Sequence, residues 1–226
     1  LDERLTTGHM GKLFAFVLLF ILLTGCAATT LIVVEKKETA KPFSKILAIY
    51  VDGDIDFSVF DSTTYNICIK SVFTDSAGYD TRSSTEDLIV NYLSTARSLI
   101  VKSSDFFDLY TNSYDDFTRQ VDSAGIEALL IVHVRRYSYT KHILPTVQKN
   151  ISSSSSVGVG GSYRTPNAAF ECYLIEPHAY FPIWKAALDV KGKGYYNGKG
   201  ALKTSMLEQL QKGLVSGGYI VPHRQP

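Results

Sequence analysis

The sequence predicts an α/β (α+β) domain with a single mixed β-sheet and about three packed helices, in the order β-α-β-α-β-β-β-α. Three observations carry this. "KILAIYVDGD" and "EALLIVHV" contain unbroken apolar runs, the signature of strands covered on both faces. Stretches with a 3.6-residue apolar period lie between and after them. The early strands alternate with helices, as crossover units do, whereas the later strands follow one another, as a hairpin does.

The elements follow in order. Ile46, Leu47, Ile49 and Val51 form a buried strand that Gly53, between two aspartates, brings to an end. "TTYNICIKSVF" reads as a further strand or hairpin inserted after it. A helix is expected over about Thr85 to Lys102, where Leu88, Ile89, Tyr92, Leu93, Ala96, Leu99 and Ile100 keep one face. Ser84 with Asp87 forms a capping pair at its start. "FFDLYT" is short and strand-like. Ser113 with Asp116 opens a second helix through Tyr114, Phe117, Val121 and Ala124, and Gly125 stops it. "EALLIVHVRRYSYT" is the strongest strand. After the low-complexity segment Ser152 to Ser162, "AAFECYLIEPHAYFPIWKAALDVKGKG" gives two strands turning near Glu176-Pro177-His178. A last helix places Leu202, Met206, Leu207, Leu210 and Leu214 on one side, before Gly217-Gly218.

The N-terminus carries a different signal. Met10, Lys12 and the apolar run Leu13 to Leu23 have the layout of an export signal. The run is shorter than the ~20 residues of a membrane-spanning helix. Leu23-Thr24-Gly25-Cys26 resembles the bacterial lipobox, in which an aliphatic residue and two small ones precede the cysteine that receives lipid. That resemblance implies acylation of Cys26, and several acyl chains at roughly 0.8 kcal/mol per buried methylene anchor stably. Ala27 after the cysteine, in place of aspartate, implies the outer membrane. The reading divides the chain into upstream residues 1–9, a signal peptide at 10–25, a lipidated tether at 26–43, in which Leu31 to Val34 has strand character, and one periplasmic domain at 44–226.

Composition narrows the function classes. Hydrophobic residues make up 45% and charged residues 20%, which is ordinary for a globular domain. A net charge of +1 with interspersed signs argues against nucleic acid as a partner. With Cys26 lipidated, Cys68 and Cys172 are left in strand-like segments, either bridged in an oxidising compartment or as two buried thiols. The absence of CxxC argues against a zinc ribbon or a thioredoxin-type motif.

The element order, with "KILAIYV", "GIEALLIVHV", "FPIWKAALDVKG" and "MLEQLQKGLVSGGYI", resembles a group of bacterial envelope lipoproteins. The group includes the N-terminal domain of the Tol-system propeller protein, the curli-secretion lipoprotein and an outer-membrane activator of penicillin-binding proteins. "DIDFSVFDSTTY" is similar to the start of another envelope-lipoprotein family. The resemblance implies a binding or assembly role in the envelope. Through the curli-secretion lipoprotein it also implies membrane-active hairpins at 147–170.

Candidate chemistry is thin. "VGVGGS" lacks the lysine and hydroxyl of a phosphate loop. His133, His142, His178 and His223 have no zinc spacing, and His133 reads as a structural histidine. No G-x-S-x-G elbow is present. Asp115-Asp116 and Glu86-Asp87 read as helix-start carboxylates that complement the dipole. No catalytic residue, metal ligand, cofactor or small-molecule substrate is expected. Trp184 reads as core or as a binding hot spot. Arg135, Arg136, Tyr137 and Tyr139 form a candidate partner contact at a strand end. The expectation is a non-enzymatic module that touches the bilayer through acylated Cys26 and another envelope protein through its surface. An oligomeric secretion or pore component stands second, and an envelope hydrolase third.

Overall fold

The computed structural model describes residues 28–39, 41–52, 55–75, 78–107, 113–143, 161–192 and 199–222. The signal segment, Cys26, Gly53, His223 and most of the serine-glycine segment lie outside these. Six strands form one mixed sheet: β1 (Ala28–Lys36), β2 (Lys45–Asp52), β3 (Leu99–Lys102), β4 (Ala128–Ile143), β5 (Ser162–Ile175) and β6 (Trp184–Lys191). Their spatial order is β1-β6-β5-β4-β2-β3. β2 runs parallel to β3 and β4, and every other pairing is antiparallel. Five helical stretches accompany them: α1 (Ser62–Thr74, with a π-turn over Tyr65–Ile69), α2 (Tyr79–Leu93), α3 (Ser103–Phe106), α4 (Tyr114–Ser123) and α5 (Lys199–Ser216). From β2 onward the expected alternation holds, with β1, α1 and α3 added.

Three local readings are corrected or extended. The tether is structured: Ala28–Lys36 is the edge strand β1, paired with β6 from Ala28 opposite Lys191 to Lys36 opposite Trp184. Leu31 packs into the core, and the Tyr219 hydroxyl donates to the Lys37 carbonyl at 2.6 Å. "TTYNICIKSVF" is helical, because Tyr65, Ile69 and Phe73 are spaced by four and are all buried on one side. The helix expected at 85–102 is α2. It starts at Tyr79, ends at Leu93 and turns at Thr95–Ser98 into β3, so Leu99 and Ile100 belong to a strand beside Lys45 and Ile46. Of "FFDLYT" only Phe106 and Phe107 are described, the rest lying outside the described residues; Ser103–Phe106 is a helical turn that follows β3. The second helix has the predicted cap: Ser113 Oγ accepts from the Asp116 N–H at 3.1 Å, and Gly125 sits at φ +63°.

The sheet separates two apolar layers. On one face, Ile46, Ala48, Leu130, Val132, Cys172, Trp184, Ala186 and Leu188 pack under α2 and α5. On the other, Leu47, Ile49, Leu129, Ile131 and Tyr173 pack under α1, α4 and Phe57. An aromatic cluster centred on Phe117 joins Tyr65 and Phe107, each 5.0 Å away between ring centroids, and Phe60 at 6.1 Å. Among the described residues the second layer reaches β2, β4, the end of β5 and, through Val101, β3.

Candidate functional site on the open half of the sheet

Strand register sets this surface. Arg136, Ala169, Asp189 and Thr30 stand in one row across β4, β5, β6 and β1. Glu171, Ala187 and Ile32 form the next row, and Tyr173, Lys185 and Glu35 the third. Tyr173 of the third row is buried beside Phe57, and no helix among the described residues covers the first two rows. They floor a shallow cavity of about 470 Å³ lined by Arg135, Arg136, Ala169, Glu171, Ala187 and Asp189. At its β1 side, Ile32 is 57% and Val34 61% exposed.

Several of the polar groups beside the cavity are paired with one another. Arg135 Nη1 donates to Glu171 Oε1 at 3.0 Å, and the Tyr173 hydroxyl donates to Glu171 Oε2 at 2.5 Å. Burial and that acceptor push the Tyr173 hydroxyl far above its usual range, which keeps it a donor. Lys185 Nζ lies 5.0 Å from the Tyr173 ring and donates to Ser58 Oγ at 3.2 Å. Ser58 in turn donates to Asp56 at 2.6 Å and lowers the pKa of that carboxyl. Glu171 and Asp56 are thus held by a cation or a hydroxyl.

The sequence-predicted residues are partly dispersed. Arg135 sits at the bulge between Val134 and Arg136. Arg136 faces the open cavity, whereas Tyr137 packs against the α2–α5 core layer. Tyr139, two residues on, shares the Tyr137 side of the strand. The four therefore form no single surface. Trp184 is completely buried in the layer under α5, so packing accounts for it. His133 is buried with its ring edge-on to Phe57 at 5.6 Å. Cys172 is a buried free thiol on the α2–α5 side. The segment carrying Cys68 is helical, and its neighbours Tyr65 and Ile69 pack on the opposite face of the sheet.

A second polar cluster was not visible in the sequence. Glu86 lies within α2 and is fully buried. It accepts from the Tyr50 N–H at 3.0 Å, Ser103 Oγ at 2.6 Å and the Ser104 N–H at 2.9 Å. Burial raises its pKa against the lowering effect of those donors. Glu86 thus ties α2 to β2 and α3, and is no helix-start carboxylate. Its neighbour Asp87 does pair outward, with Lys102 at 2.9 Å. Arg82, also buried, donates to the Val72 carbonyl and lies over the rings of Phe73 and Tyr79.

Among the described residues there is no group of three or more His, Cys, Asp or Glu side chains able to hold a metal. No described helix is long and apolar enough to cross a membrane. No family model matches the chain, and no curated protein matches it. Two solved structures of the PelC dodecamer from Paraburkholderia phytofirmans are similar to it. One, of a single-site variant, shares 13% identity over 81% of this chain and 96% of that one, with a TM-score of 0.45. The other shares 12% over 88% and 100%, with a TM-score of 0.43.

Proposed function

We propose that this chain is a lipid-anchored protein of the bacterial outer membrane, acting in the periplasm as a non-enzymatic protein-binding or assembly module. The observation that carries the reading is the half-open sheet ending in β1. Among the described residues β1 pairs only with β6, which leaves its outer edge without a strand partner there, beside exposed Ile32, Val33 and Val34. Such an edge pairs readily with another chain. It begins two residues after Cys26, so an anchor there holds the edge close to the bilayer.

The test has two parts. Cys26→Ser should move the mature protein out of the membrane fraction, and the wild-type mass should exceed that of the bare chain by its acyl groups. The detergent-extracted protein should run as a monomer or small oligomer on light scattering. An unchanged membrane fraction would sink the anchor, and a single large ring would replace the adaptor by the secretion or pore component.

A further inference from the structure

The β4–β5 pair outgrows the rest of the sheet. Among the described residues the last β5–β6 pair is Asn167 opposite Lys191, with the Gly192 N–H donating to the Pro166 carbonyl at 2.9 Å, and Ala28 of β1 stands at that same level. β4 and β5 continue through five more pairs, from Tyr139 opposite Pro166 to Ile143 opposite Ser162. At about 3.3 Å per residue this two-stranded arm projects about 15 Å beyond the sheet. Cys26 lies no more than about 7 Å of chain from Ala28. The arm and the N-terminal start of β1 therefore leave the sheet at the same end.

The arm's chemistry is one-sided. From 135 to 170 the sequence holds five Lys and Arg residues and no Asp or Glu, in a chain whose net charge is +1. Within the arm Lys141 stands directly opposite Arg164. Like charges in register repel, and neither makes an ion pair among the described residues. Strand alternation puts Tyr139 and Ile143 on the same face as this pair, 58% and 78% exposed. Lys199, at the start of α5, adds a third cation 4.7 Å from the Tyr137 ring at the arm's root. The other face is occupied internally: His142 stacks on Tyr163 at 4.5 Å and bonds Thr165 Oγ1 at 3.0 Å. Paired cations flanked by an exposed tyrosine and isoleucine match a membrane interface, where aromatic rings sit at headgroup level and basic groups meet lipid phosphates.

We infer that the β4–β5 arm docks on an anionic bilayer surface, with Lys141 and Arg164 taking phospholipid headgroups and Tyr139 and Ile143 entering the interface. The orientation toward the bilayer rests on the proposed Cys26 anchor; the binding itself does not. The test uses the full chain carrying Cys26→Ser, which removes acyl groups from the measurement. It is sedimented with phosphatidylcholine vesicles, and with vesicles half phosphatidylglycerol. Binding should appear only with the anionic vesicles and fall away in high salt. Adding Lys141→Gln and Arg164→Gln should weaken it roughly thirtyfold, about fivefold for each basic group near an anionic surface. The double variant removes a like-charge pair, so its melting temperature should hold or rise, which separates lost binding from lost folding. No binding to anionic vesicles, equal binding to neutral ones, or an unaffected double variant would each overturn the inference. The mass of the wild-type mature protein reads the anchor separately, so either idea can fail without the other.

Discussion

The two halves of the sheet are built to different rules. In β3-β2-β4 the strands are parallel and both faces are covered, by α2 on one side and by α1 and α4 on the other. In β5-β6-β1 the strands are antiparallel and only the α5 face is covered through most of their length. Parallel strands joined by crossovers bring their own helices to both faces, whereas a hairpin brings none. The first half is packed on both faces, and the second leaves one face open. The difference says where substitutions should be felt.

The largest effect is expected where the open half rests on its one covering helix. Trp184→Ala should cost about 3–5 kcal/mol in chemical unfolding, the range for truncating a buried large aromatic. A cost near 1 kcal/mol would mean that α5 does not seal this face. Next is Glu86, which holds the closed half together. Glu86→Ala leaves the Tyr50 and Ser104 N–H groups without their acceptor and should cost about 2–3 kcal/mol. Its pH dependence has a defined sign. Burial holds the folded-state pKa above the value of a free glutamate. The stability gained from the tighter proton is thus fully present below that value and is lost as pH rises through the raised one. The gap between wild type and Glu86→Ala should therefore narrow as pH rises across that window; a gap that widens would reverse the assignment.

The same contrast explains what the sequence could reveal. The first half of β4 was legible because coverage on both faces demands a continuous apolar run, Ala128 to Val132. β1 was read mainly as tether because only alternate residues such as Leu31 reach the core, and its exposed valines carry no period. α1 was hidden by residues of high strand preference, although the four-residue spacing of Tyr65, Ile69 and Phe73 was there to be counted. α2 was drawn too long because Leu99 and Ile100 continue its period by coincidence. Glu86 left no signal, since a carboxylate buried by tertiary contacts looks like any helical glutamate. The splitting of Arg136 from Tyr137 and Tyr139 follows from strand pleating and was readable in principle. The protrusion of the β4–β5 arm was not, because it depends on where β6 stops.

A smaller effect sharpens the same boundary. A Cβ on Gly213 of α5 would lie 2.9 Å from Trp184 Cζ2 and 3.2 Å from Leu31 Cδ2. Alanine there gains up to about 1 kcal/mol of helix preference but forces the helix off the buried tryptophan. A net loss of about 1–2 kcal/mol is expected from overpacking. Gly200 in the same helix has open space around its Cα, so Gly200→Ala should be neutral or gain a few tenths. Thermal melts of the two variants, side by side, read the contact directly; equal shifts would show that α5 is loosely seated.

The smallest effect on stability should come from the outermost strand, and it carries the most functional weight. Val34 is 61% exposed on β1, so Val34→Lys removes little buried area and should stay within about 0.5 kcal/mol of wild type. A lysine on an edge strand nevertheless opposes the addition of another strand, because its ammonium group would have to be desolvated against the incoming chain. If the edge of β1 is the contact surface, this variant should melt like wild type and lose its crosslinked partner in intact cells. Retained crosslinks with unchanged melting would move the contact elsewhere on the open half, with the cavity beside Arg136 and Asp189 next in order. A stability loss well above 1 kcal/mol would instead mean that β1 is covered within the protein's own assembly.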